Sequence, residues 1–142
     1  MTDKIIKIET RINNVLFWLC FFVTFLAIFM ALLEFFSKGE YPPSNINIFY
    51  VGILIIYALH KEALRFLERS QSKRVTKGGE IFVYVWIIMT ACLYLLNFLT
   101  KGFYTQDSTA LLSMSFTALE VGAVFVLARI LKLLMIRLFN KK

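Results

Sequence analysis

Four apolar stretches, too long to hide inside so short a chain, decide what this sequence can fold into. They run from Val15 to Phe36, Ile46 to Phe66, Ile81 to Thr100 and Ala110 to Leu131. About 20 residues of helix, rising 1.5 Å each, cross a hydrocarbon core of about 30 Å. With 142 residues, 59% apolar and 18% charged, the chain departs from a soluble domain, for which about 45 to 50% apolar and about 25% charged are usual. A chain of this size has too little interior to bury the surplus. Together these features predict an all-α, polytopic membrane protein: a single membrane domain of four transmembrane helices in an up-down bundle.

Each span has its own signature. Span 1 carries one charge, Glu34, close enough to its end to reach the headgroups. Its apolar run exceeds the roughly 7 to 15 residues of a signal sequence, and no small-x-small site follows, so it reads as a retained anchor. Span 2 has only 14 uncharged residues, Ile46 to Leu59, before His60, Lys61 and Glu62. It must therefore continue through Phe66, with Lys61 and Arg65 snorkelling outward. Span 3 is free of charge, and span 4 carries Glu120 near its middle. Ahead of span 1, residues 1 to 14 place Ile5, Ile8 and Ile12 opposite Lys4, Lys7 and Arg11, the pattern of an interfacial amphipathic helix. Ser44 or Asn45 suits the N-cap of span 2, Gly78-Gly79 precedes span 3, and residues 132 to 142 form a basic tail. No internal repeat or second domain is read.

Loop charge orients the spans. Fourteen Lys and Arg fall in the N-terminal segment, the loop between spans 2 and 3 and the C-terminal tail, whereas Lys38 and Lys101 alone fall on the other side. The positive-inside rule then places both termini in the cytoplasm of a plasma or inner membrane. The net charge of +7 is explained by orientation and by anionic lipid at the cytoplasmic face, without nucleic acid. Trp18 and Trp86 fall at cytoplasmic span ends, and Tyr41, Phe103 and Tyr104 at the outer rim, as amphipathic rings do.

Glu120 is the residue most open to a chemical role. A carboxyl at mid-span with no base at its depth is either neutral or turned toward water. Thr117 and Ser113 share its face, one and two turns earlier. Thr24, Thr90 and Tyr94 are the intramembrane partners at similar depth, and Ala118-x-x-x-Gly122 offers a second face for close helix approach. Where span 2 leaves the membrane, His60, Lys61, Glu62 and Arg65 form a cytoplasmic interface cluster, with Glu62 able to pair with Arg65 or with Arg129 of span 4. One histidine with two separate intramembrane cysteines, Cys20 and Cys92, makes neither a zinc site nor a C-x-x-C couple. No cofactor, metal or enzymatic activity is expected.

Four spans, internal termini and the basic residues Arg129, Lys132 and Arg137, with Glu62 and Arg65 closing span 2, faintly resemble a voltage-sensor domain. That family spaces its bases every third residue within the membrane, a spacing that Lys132 to Arg137 breaks, and span 3 has no internal acid. The expectation is therefore a homo-oligomeric ion channel or ion-transporting protein with Glu120 near the conduction path. The alternative is a non-catalytic accessory or scaffold subunit that binds another membrane protein through its helices, with Glu120 protonated and structural.

Overall fold

The computed structural model describes residues 2–41, 46–68, 80–105 and 109–139, with the side chains of 2–6, 65–68, 135, 136, 138 and 139 outside the description. The N-cap expectation at Ser44 or Asn45, the Gly78-Gly79 break and the last residues of the tail lie outside the described residues. Four helices account for nearly all the rest: α1 (Thr2–Phe36), α2 (Ile46–Glu68), α3 (Glu80–Leu99) and α4 (Ala110–Phe139). Each is long and apolar enough to cross a membrane. The 35 residues of α1 and the 30 of α4 make rods of about 52 and 45 Å, well beyond a core of about 30 Å. With neither Pro nor Gly between Thr2 and Phe36, α1 runs on unbroken through the segment read as an interfacial helix.

α1 packs on α2, α2 on α4 and α4 on α3, and α1 also touches α4. Side chains of α3 complete the interior. Trp86 is wholly buried among Cys20, Val23, Ala27, Tyr50, Leu54, Tyr57 and Val121, and its indole N–H donates to the Tyr50 hydroxyl at 3.0 Å. Trp86 is thus a core residue and not an interfacial anchor, because it shares a face with Phe82, Thr90 and Leu93, the other buried positions of α3. Trp18, 65% exposed, keeps the surface position expected of it. A second cluster gathers Ala31 and Phe35 with Leu93, Ala110, Leu111 and Met114.

Helix periodicity explains two further departures. Lys61 does not snorkel: it follows Leu54 and Tyr57 on the buried stripe of α2, is 4% exposed, and holds its ammonium 5.5 Å from the Tyr57 ring centroid. Glu34 does not reach outward either. It falls on the stripe of Val23, Ala27 and Ala31 and is 6% exposed, with Oε2 finding no partner among the described residues.

α1 and α3 end in the same way, which reveals a repeat that the sequence reading passed over. Leu32 to Tyr41 reads LLEFFSKGEY and Leu95 to Tyr104 reads LLNFLTKGFY, identical at Leu, Leu, Phe, Lys, Gly and Tyr. Lys38 and Gly39 take φ of 57° and 89°, and Lys101 and Gly102 take 54° and 79°. The left-handed pair lets the glycine N–H reach back to the helix, Gly39 to the Glu34 carbonyl at 2.9 Å and Gly102 to the Asn97 carbonyl at 2.8 Å. Each copy of this corner closes one helix, and the helix that follows packs on the one it closes, α2 on α1 and α4 on α3.

Trp86→Ala removes the largest fully buried side chain and should cost about 3 to 5 kcal/mol. Tyr50→Phe, which removes the hydroxyl that accepts from Trp86 and also bonds Thr24, should cost about 1 kcal/mol, the scale of intramembrane interhelical hydrogen bonds. Unfolding in mixed detergent micelles of rising SDS fraction reads both, and equal costs would contradict the packing described.

Candidate functional site

The polar groups of the spans collect in two places. The first is a groove on the outside of the α2–α4 contact, about 420 Å³ in volume, lined by Asn47, Ile48, Thr109, Leu112, Ser113, Phe116, Thr117 and Glu120. Two helices build it. The Ser113 hydroxyl accepts a hydrogen bond from the Asn47 side-chain amide at 3.2 Å, tying the start of α2 to the start of α4. Thr117, buried, donates to the Ser113 carbonyl at 3.0 Å and presents no free hydroxyl hydrogen to the groove. Glu120 is exposed at its foot and makes no hydrogen bond or ion pair with any described residue.

Glu120 therefore faces away from the bundle interior. Along its face of α4 the residues toward Ala110 are Thr109, Ser113 and Thr117, whereas Leu127 and Leu131 lie in the opposite direction. The candidate partners do not meet it. Thr24 is buried and donates to the Cys20 carbonyl at 2.6 Å, Thr90 is buried with Oγ1 lacking a partner among the described residues, and the Tyr94 hydroxyl lies 2.9 Å from that of Ser115. Of the Ala118-x-x-x-Gly122 pair, Ala118 is buried in the core, whereas a Cβ at Gly122 would meet nothing within 4 Å.

The second place is the opposite end of the bundle. Ala58, Lys61 and Glu62 of α2, Glu80 of α3, and Phe125, Ala128 and Arg129 of α4 enclose a small cavity of about 40 Å³. A polar cavity of that size holds one or two waters. Lys61 and Glu62 are buried at its wall, and the Arg129 guanidinium donates to Glu80 Oε1. The pairing that the sequence offered Arg129 was with Glu62; the structure pairs it with Glu80, which the sequence marked only for a favourable charge at a helix N-terminus. Beside the cavity, His60 Nε2 lies 3.4 Å from the Glu9 carbonyl oxygen and 3.6 Å from its Oε2. The Arg65 side chain lies outside those described.

Among the described residues no three His, Cys, Asp or Glu side chains converge at either place. The first can hold water or a small cation against one carboxylate. The second links α3 to α4 through Glu80 and Arg129, with the Glu9–His60 contact of α1 and α2 at the same end. Asn47, inside the span that begins at Ile46, is a groove residue that sequence reasoning did not single out, and its only signal was a lone amide in the first turn of an apolar helix.

Both members of the Arg129–Glu80 pair have side chains more than a third exposed, 57% and 39%. A double-mutant cycle on Arg129→Gln and Glu80→Gln should return a coupling of about 0.2 to 1 kcal/mol, shrinking as salt rises. A coupling of several kcal/mol, indifferent to salt, would place the pair in a dry interior instead. Compared with known proteins, the chain matches no family model, no curated protein and no solved structure, so its chemistry rests on these groups alone.

Proposed function

We propose that this chain is the subunit of a homo-oligomeric, ion-transporting membrane protein in which Glu120 sits at or beside the ion path. One observation carries the reading: a mid-span carboxyl stands on the outside of the fold, partnerless within its own described chain and at the foot of a polar groove. Glu120 in contact with lipid alone would be strongly unfavourable. The interior offers no alternative route, being filled by Trp86, Tyr50, Tyr57, Phe35 and Phe82. Cyclic assemblies in a membrane turn about the bilayer normal, so copies of one residue come together at one depth. A ring of Glu120 carboxyls would attract cations or share protons, as acidic rings in cation pores do.

The same reading takes the bundle as up-down, with both termini cytoplasmic in a plasma or inner membrane and anionic lipid against the basic loops. Three meetings of helix ends support it: Glu9 near the start of α1 with His60 near the end of α2, Asn47 with Ser113 at the starts of α2 and α4, and Glu80 at the start of α3 with Arg129 toward the end of α4. The accessory-subunit reading draws on a different observation, the open space over Gly52 and Gly122, where another protein's helix has room to approach.

Cation and proton flux into proteoliposomes tests the proposal. Wild-type protein should conduct, and Glu120→Gln, nearly isosteric and uncharged, should abolish the flux or its cation selectivity while assembly persists. A folded wild type silent across ions, pH and voltage would overturn the transport reading and favour the accessory subunit.

A further inference from the structure

The two corners have the same backbone but different surroundings. Within the chain, the first docks on the second: Phe35 stacks on Tyr104 with ring centroids 5.1 Å apart, Phe36 meets the same ring edge-on at 5.5 Å, and the Lys38 ammonium sits 3.4 Å above the Phe103 ring. By position in the repeat, the counterparts are Phe98 for Phe35, Lys101 for Lys38, Tyr41 for Tyr104 and Glu40 for Phe103. None of these counterpart contacts is made. Phe98 is 79% exposed and Tyr41 67%, neither ring meets another described ring, and Glu40 and Lys101 are both exposed without an ion pair among the described residues.

The donor half of the second corner is nonetheless already shaped. Tyr94, Asn97, Phe98, Leu99, Lys101 and Gly102 border an open groove of about 710 Å³. Its rim carries a cation, where the vacant counterpart loop carries an anion, Glu40. In the filled seat a cation lies over an aromatic ring; the counterpart positions bring a Lys and a Glu to the vacant one, charges of opposite sign.

We propose that this groove receives the first corner of a second copy of the chain, with Tyr41 seated against Phe98 and Glu40 against Lys101. The contact repeats between molecules the step that joins the two corners within one. It is heterologous, groove of one copy to loop of the next, and closes into a ring when the rotation permits. Both corners lie at the same end of the bundle, as the Phe35–Tyr104 stack requires, so the contact keeps every copy at one depth. The inference rests on the assembly part of the proposed function and is independent of whether the assembly conducts.

Disulfide trapping in native membranes tests it, in a background of Cys20→Ala and Cys92→Ala. Chains carrying Tyr41→Cys and chains carrying Phe98→Cys, co-expressed and mildly oxidised, should shift to a dimer containing one of each. Glu40→Cys with Lys101→Cys should do the same, and circular dichroism of each variant confirms that the helices are intact. Absence of both mixed dimers, or predominance of Phe98→Cys with Phe98→Cys and Tyr41→Cys with Tyr41→Cys products, would overturn the heterologous contact. Mixed dimers in a protein that carries no flux would uphold this interface and sink transport, whereas flux without mixed dimers would uphold transport and sink the interface.

Discussion

Lipid cannot hydrogen-bond a peptide group, and most of this structure follows from that constraint. Every backbone N–H and C=O within the hydrocarbon must be satisfied inside its own helix, so each crossing is an uninterrupted helix and each change of direction belongs where water returns. The Lys-Gly corners illustrate the economy of the solution. A left-handed pair of residues directs the glycine N–H back to a carbonyl that the helix has left open, and the chain turns with its backbone bonded. Once the spans exist, apolar burial no longer distinguishes one helix from lipid, and association depends on fit and on hydrogen bonds between side chains. Trp86 on Tyr50 and Asn47 on Ser113 are bonds of that kind.

The same constraint sorts the polar side chains. Thr24, Ser115 and Thr117 satisfy themselves on carbonyls of their own helices, one turn back. Lys61, Glu62, Glu80 and Arg129 border the cavity between α2, α3 and α4, where Arg129 finds Glu80. Glu120 fits neither pattern: it stops short of that cluster along α4, and its face turns outward. Only 22 to 28% of each span is buried within the chain. So much uncovered surface, carrying a carboxyl, gives the proposed assembly its physical motive: a neighbouring copy supplies the polar surroundings that lipid denies.

The number of long apolar helices was legible in the sequence because it depends on length and composition, which are local properties. α2 and α4 begin at Ile46 and Ala110, where the apolar runs begin, and α3 begins at Glu80, one residue ahead. Which face of each helix turns inward was less legible. Lys61 and Glu34 were assigned to the headgroups by chemical type, yet both lie on stripes of small or aromatic residues whose period, 3 and 4 residues, places them inside. Trp86 misled in the same way, since a tryptophan near a span end suits an interface and a core equally. Glu120 was legible as an anomaly but not as to its side, because its direction depends on how α4 packs against α2 and α3. Arg129 found its acid 49 residues away in the chain, a pairing set by tertiary structure alone.

The two corners show how duplication and divergence divide these constraints. Identity persists at Lys-Gly, where the backbone takes positive φ, and at the Phe and Tyr that flank the turn. Divergence appears where surroundings differ. Asn97 accepts a hydrogen bond from the Thr105 hydroxyl at 3.1 Å, whereas its counterpart Glu34 has, in the place of that threonine, Pro42, which has no hydroxyl to give. Phe103, covered by Lys38 within the chain, has Glu40 as its counterpart, and Glu40 projects from an uncovered corner. An aromatic ring under a cation inside the chain and an exposed carboxylate suit two different fates of one motif: each corner has one side engaged in closing the subunit, and its other side is the one that the proposed assembly uses.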